Sequence, residues 1–286
     1  MNVTFMRLDR LNVTFTRNAP WPRPRGRAGR TIGAMSDTAV VVPAKDEERR
    51  IAATVRAACG IEGVDLVVVV DDGSQDGTSY AAERAGAVVL RHARNQGKAA
   101  AMETGAAAVH AVDLREGRAD RPWHLLFLDG DLGETARNAA PLVEPVRAGD
   151  ADMTVAVLPP QQRPDGGPAG GYGLVVRLSR EGIRQATGFA PAQPLSGQRC
   201  LTREAFEAAR PLARGFGVET ALTIDLLRQG FRVREVECDL HHRVTGTDWQ
   251  AQLHRGRQYA HVAAALAARR LPEGIRPRRR SSVQRS

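Results

Sequence analysis

Between residues 38 and 157 short apolar runs alternate with helical segments, and this alternation restricts the chain to few architectures. TAVVVPA, VDLVVVVDDGS, AVVLRHA, WHLLFLDGD and DMTVAVLP are rich in apolar, mostly β-branched residues with no strict two-residue period. That pattern suits strands buried on both faces. Between them, DEERRIAATVRAACG sets Ile51, Val55 and Ala58 at helical spacing and stops at Gly60. DGTSYAAERAG predicts a second helix, capped by Asp76 or Thr78 and closed by Gly86. GKAAAMETGAAAVHAVDL and ETARNAAPLVEPVRAG predict a third and a fourth. Strands and helices in this order form βαβ crossovers, so the expected fold class is α/β: one mostly parallel, Rossmann-like sheet with helices on both faces.

The alternation ends at PPQQRPDGGPAGGYG, residues 159–173, which predicts a long loop and, beside a site, a flap. Beyond it lie two helical stretches, LVVRLSREGIRQATG and VETALTIDLLRQG, separated by a PLSGQRCLTREAF segment. FRVREVECDL predicts a strand with Val233, Val236 and Cys238 inward around a bulge, and TDWQAQLHRGRQYAHVAAALAARR a closing amphipathic helix.

Charge is unevenly placed. The net charge is +9, but residues 1–36 carry +6 and residues 272–286 carry +4, leaving the 37–271 body at −1. Both ends therefore predict disordered basic arms flanking a single 37–271 domain, with Met35 as an alternative initiator. A body of this charge predicts no nucleic-acid partner. No apolar run reaches the length of a membrane span, so any membrane contact is expected to be peripheral. Cys59, Cys200 and Cys238 share no C-x-x-C and read as small buried residues of a reduced, cytoplasmic protein. Assembly as a homodimer is left open.

In an open α/β sheet, ligands bind beyond the carboxyl ends of the strands. Four strand ends carry polar residues here: Pro43-Ala44-Lys45-Asp46-Glu47, Asp71-Asp72-Gly73-Ser74, Asn95-Gln96-Gly97-Lys98 and Asp129-Gly130-Asp131. Two acids two residues apart raise each other's cost of ionisation, which a divalent cation relieves. Mg²⁺ held by one or two carboxylates and substrate phosphates is such an arrangement; caps for the next helix are the alternative reading of the same acids. Gly97 and Lys98 open a helix, where a backbone amide and an ammonium suit a phosphate. Neither G-x-G-x-x-G nor G-x-x-x-x-G-K-[ST] is present, which argues against dinucleotide and P-loop sites.

VVVPAKDEERRI, VVVVDDGSQDGT, RNQGKAAAMETG, LLFLDGDL and GFGVETALTIDLL, in this order, resemble the family 2 glycosyltransferases of GT-A fold over residues 38–260. GFGVE and the later His242-Arg243 are similar to the bacterial glucosyl-3-phosphoglycerate synthases, which retain anomeric configuration where family 2 inverts it.

The resemblance implies a metal-dependent transfer of a sugar from a nucleotide-sugar donor, UDP before GDP, to a small-molecule or lipid-phosphate acceptor, with a mixed C-terminal acceptor part. It implies that Pro43, Ala44, Glu47, Asp71, Asp72, Ser74, Gly97, Lys98 and Asp129 bind the donor. Asp131 and His242 would hold Mg²⁺ or Mn²⁺, with His241 an alternative to His242. Glu219 and Asp129 would be the catalytic carboxylates, and Gly197 and Arg199 would meet the acceptor. Inverting and retaining outcomes both remain open. A sugar-phosphate nucleotidyltransferase is disfavoured, because PAKDEE places acids where a Gly-rich basic loop is needed. A non-catalytic sugar-nucleotide binder working through its basic arms is the remaining rival.

Overall fold

The computed structural model describes residues 13–15, 37–159, 173–241 and 249–270. Its strands are β1 (Val13–Phe15), β2 (Thr38–Ala44), β3 (Val64–Asp71), β4 (Val88–His92), β5 (His124–Phe127), β6 (Met153–Val157), β7 (Arg199–Leu201) and β8 (Val233–Glu237). The helices are α1 (Glu48–Cys59), α2 (Thr78–Arg84), α3 (Lys98–Arg115), α4 (Glu144–Arg147), α5 (Leu174–Thr187), α6 (Arg203–Ala208), α7 (Val218–Arg228) and α8 (Trp249–Arg270).

All the strands join one sheet in the order β1-β4-β3-β2-β5-β7-β6-β8. β4, β3, β2 and β5 run parallel, so their carboxyl ends meet at one rim. β7 is inserted antiparallel between β5 and β6, with Phe127 opposite Arg199. β1, from the segment expected to lie outside the domain, pairs antiparallel with β4.

The valine runs serve both faces of the sheet. Val41, Val68 and Val70 pack into one core with α3 and Phe206, while Val40, Val42, Val67 and Val69 pack into the other with Ile51 and Val55 of α1. Successive side chains alternate across a strand, so a continuous valine run is what two covered faces require. A third cluster joins Ile183 of α5, Ile224 of α7, and Val262 and Leu266 of α8.

Three expectations are corrected. The fourth helix is a 3₁₀ segment, Gly133–Leu142, followed by the single turn of α4. Pro141 and Pro145 lack the amide hydrogens that a continuous α-helix needs there. Val233 packs against one core, whereas Val236 and Cys238 lie with the other, so β8 alternates without a bulge. Cys200 and Cys238 are buried, but Cys59 is exposed at the end of α1.

Candidate active site at the strand ends

The rim is built around one lysine. Gly97, at φ 92°, turns the chain into α3 and sets Lys98 on its first turn. Lys98 Nζ lies 2.7 Å from Asp129 Oδ1 and 3.0 Å from Glu219 Oε1. Asp129 comes from the end of β5 and Glu219 from the first turn of α7. Burial disfavours the ammonium, but the charges of Asp129 and Glu219 outweigh it and hold Lys98 well above the ordinary lysine range.

Gln198 completes the cluster. It is wholly buried, and its Nε2 donates to Asp129 Oδ2 at 2.7 Å. Gly197 lies against the same pair. A Cβ there would sit within contact distance of Lys98 Nζ and 2.8 Å from Asp129 Oδ2, so only glycine fits beside the lysine as it stands.

The D-x-D turn is pinned from below. Thr54 of α1 donates to the Gly130 carbonyl at 2.9 Å and accepts from the Gly133 amide at 2.8 Å. Arg50 donates to the Asp131 carbonyl at 3.2 Å. A Cβ on Gly130 would lie 3.1 Å from Ala44 Cβ and 3.5 Å from Glu47 Cγ. The turn therefore packs directly on the end of β2.

Asp71 and Asp72 face inward. Asp71 is fully buried; its carboxylate accepts from the Ser74 amide at 2.7 Å and from the Ser79 hydroxyl. Asp72 accepts from the amides of Gln96 at 2.8 Å and Gly97 at 2.7 Å, and stands 2.7 Å from His92 Nδ1. Burial would raise the Asp72 carboxyl, but hydrogen bonds from His92, Gln96 and Gly97 hold it below the usual carboxylate value. His92 is itself buried, its Nε2 3.0 Å from Thr104 Oγ1.

These two acids thus brace the rim, and Asp72 shapes the loop that delivers Lys98. Gly73, at φ 73°, lets that loop approach closely, since a Cβ would lie 2.8 Å from the backbone of Arg94 and Asn95. Ser74 Oγ accepts from the Asp46 amide at 2.9 Å, tying the ends of β2 and β3 together. Beside them, Asp46, Glu47, Glu48, Arg49, Arg50 and Asp76 line a cavity of about 480 Å³; Pro43 and Ala44 precede it on β2.

Arg199 does not reach the rim. Its guanidinium is buried and donates to the carbonyls of Ser196, Pro194 and Glu219 and to Thr223 Oγ1. Burial lowers its pKa to about 10. The expectation of an acceptor-binding Arg199 therefore gives way to a brace between the 194–199 segment and α7. His242 and the 160–172 part of the expected flap lie outside the described residues. The neighbouring His241 amide donates to Thr135 Oγ1, four residues beyond Asp131. Among the described residues, no group of three His, Cys, Asp or Glu could hold a metal alone, and no helix is long and apolar enough to cross a membrane.

Sequence reasoning missed Gln198, His92 and Thr54. Gln198 carried no signal of its own, because only the antiparallel pairing of β7 with β5 brings it beside Asp129.

A mostly parallel sheet whose strand ends gather a D-x-D turn and a lysine shared by two acids defines a domain of the GT-A glycosyltransferase class. Residues 39–189 match the model of the family described as Glycosyl transferase family 2, and the chain belongs to that family. It is 31% identical over 195 residues to Glycosyltransferase AglJ of Haloferax volcanii, covering 65% of this chain and 57% of that protein. It is 32% identical over 251 residues to the glucosyl-3-phosphoglycerate synthase of Mycolicibacterium paratuberculosis, covering 77% and 69%. The chain thus spans somewhat over half of the first relative and about two thirds of the second. A solved glucosyl-3-phosphoglycerate synthase from Mycobacterium tuberculosis, in complex with Mn²⁺, UDP and phosphoglyceric acid, superposes with TM-score 0.65 at 26% identity, covering 87% of this chain and 84% of that one.

Proposed function

We propose that the protein is a metal-dependent glycosyltransferase that moves a sugar from a UDP-sugar to a hydroxyl acceptor, within a catalytic body of residues 37–271. The observation that carries this reading is the Lys98–Asp129–Glu219 cluster at the parallel strand ends, in a chain of this family. The relative solved with UDP and Mn²⁺ supports the choice of donor and metal. Phosphoglycerate is the first acceptor to test, because two of the similar proteins carry it in their names. Three cysteines outside any disulfide support a reduced, cytoplasmic setting.

The residues fit a hard divalent cation. Asp131 offers carboxylate oxygen at the strand end, and His241, the sequence neighbour of His242, is anchored by its amide to Thr135 of the following segment. Asp131 and His242 would hold Mg²⁺ or Mn²⁺. When bound, such an ion supplies Lewis-acid stabilisation to the departing diphosphate.

The chain's own groups do the rest. Lys98 places a fixed positive charge where negative charge develops on the leaving group. Asp129, held at both oxygens, orients that ammonium. Glu219, beside Lys98 on α7, would orient the incoming hydroxyl. Glu47 and the cavity residues around it would receive the nucleoside.

The test is UDP release from UDP-glucose and related donors with 3-phosphoglycerate and other hydroxyl acceptors, with Mn²⁺ or with chelator. Release that needs both metal and acceptor supports the reading; no release from any UDP- or GDP-sugar contradicts it.

A further inference from the structure

Gln198 occupies a position that neither a strand nor a core demands of a glutamine. It precedes β7 and is wholly buried. Its backbone is fixed, because the Gln198 carbonyl accepts from the Ala156 amide at 3.0 Å. Its amide is fixed at both ends: Nε2 donates to Asp129 Oδ2 at 2.7 Å, and Oε1 accepts from Ser196 Oγ at 3.2 Å. Asp129 is thereby gripped on both oxygens, by Gln198 on one and Lys98 on the other. A carboxylate held on one side alone can rotate about its terminal bond; one held on both cannot.

We propose that Gln198 is a positioning residue for the transfer: by fixing Asp129 it sets where the Lys98 ammonium stands between Asp129 and Glu219. The proposal rests on the glycosyltransferase reading only for its kinetic consequence. The geometric part concerns Lys98 order and stands without any substrate. One ammonium faces two carboxylates, so its position is decided by which acid is held more rigidly. The neutral amide restrains Asp129 without adding charge. Gln198→Met keeps the length and removes the donor, and Gln198→Glu places a third carboxylate in the cluster.

Two measurements test this on the full-length chain. The first needs no ligand: the ¹H–¹⁵N signal of the Lys98 ammonium, assigned by its loss in Lys98→Met, reports how firmly that group is held. We expect it in wild type and expect it broadened or absent in Gln198→Met. An unchanged signal in Gln198→Met, or none in wild type, overturns the proposal.

The second is a double-substitution cycle in UDP release. Gln198→Met should lower kcat at least about tenfold, with donor KM within roughly threefold, and should add less than about twofold to the loss in Asp129→Asn, because coupled groups are not additive. Losses that multiply, or a Gln198→Met kcat within about twofold of wild type, overturn it. A residue important only for folding would lower thermal stability and multiply with Asp129→Asn. Absence of UDP release in wild type counts against the proposed function instead, leaving the ammonium signal to decide the role of Gln198.

Discussion

Lys98 Nζ stands 2.7 Å from Asp129 Oδ1 and 3.0 Å from Glu219 Oε1, so a single ammonium joins the end of β5 to the start of α7. The Lys98 side chain is 30% exposed and that of Glu219 11%, so the pair is screened from water without being sealed. Lys98→Met would leave two carboxylates facing each other with no cation between them. The expected result is a loss of turnover of about 10²-fold or more and a stability loss of ~1–3 kcal/mol, short of the cost of breaking a fully buried pair. UDP release and a urea melt check the two parts.

Gly197 ties activity to stability at the lysine. An added Cβ would collide with Lys98 Nζ, the far end of a flexible side chain, and approach Asp129 Oδ2 to 2.8 Å. Gly197→Ala is expected to displace the ammonium at a stability cost of ~1–3 kcal/mol, like that of losing the Lys98 pair, since Asp129 is held on both oxygens and cannot simply give way. Steady-state kinetics should show a fall in kcat, and the melting temperature should fall by a few degrees with it.

Acid should loosen the loop that carries Lys98. The folded-state value of Asp72 lies below its ordinary 3.8. Its clamp on the Gln96 and Gly97 amides therefore contributes stability that is fully present above 3.8 and is lost as pH falls through the lower folded value. Stability measured down to about pH 3 should fall more steeply in wild type than in Asp72→Asn, which has no proton to take up. At neutral pH the variant should be the less stable by ~1–3 kcal/mol, through weaker bonds to two amides and His92.

Arg199 is expected to matter for folding and not for acceptor affinity. Its donors reach three carbonyls and Thr223, so Arg199→Met would strand these acceptors in the interior. A loss of ~2–4 kcal/mol is expected, with acceptor KM unchanged in the fraction that folds. A raised acceptor KM with normal stability would return Arg199 to the acceptor site.

The parallel strands were legible because each is a continuous apolar run, and a run such as VVVV admits few other structures. The D-x-D turn and the lysine were legible because they directly follow or precede such elements. Arg199 was misread for a physical reason. SGQR resembles a polar surface turn in sequence, and only the insertion of β7 between β5 and β6 shows that it is interior. The same insertion brings Gln198 to Asp129, a pairing set by chain topology across 69 residues. Asp71 and Asp72 read in sequence as donor ligands; their bracing role was not legible, because both roles need acids at a strand end. The bracing shows only in their partners, which are backbone amides and the side chains of Ser79 and His92.

The most direct test of the central claim is UDP binding by titration calorimetry, with Mn²⁺ and with chelator, in wild type and Asp131→Ala. The account predicts that wild type binds UDP tightly only with Mn²⁺. It also predicts that Asp131→Ala loses this metal-dependent gain, by about tenfold or more in affinity, while keeping its fold. Equal binding with and without metal, or an unimpaired Asp131→Ala, would contradict it.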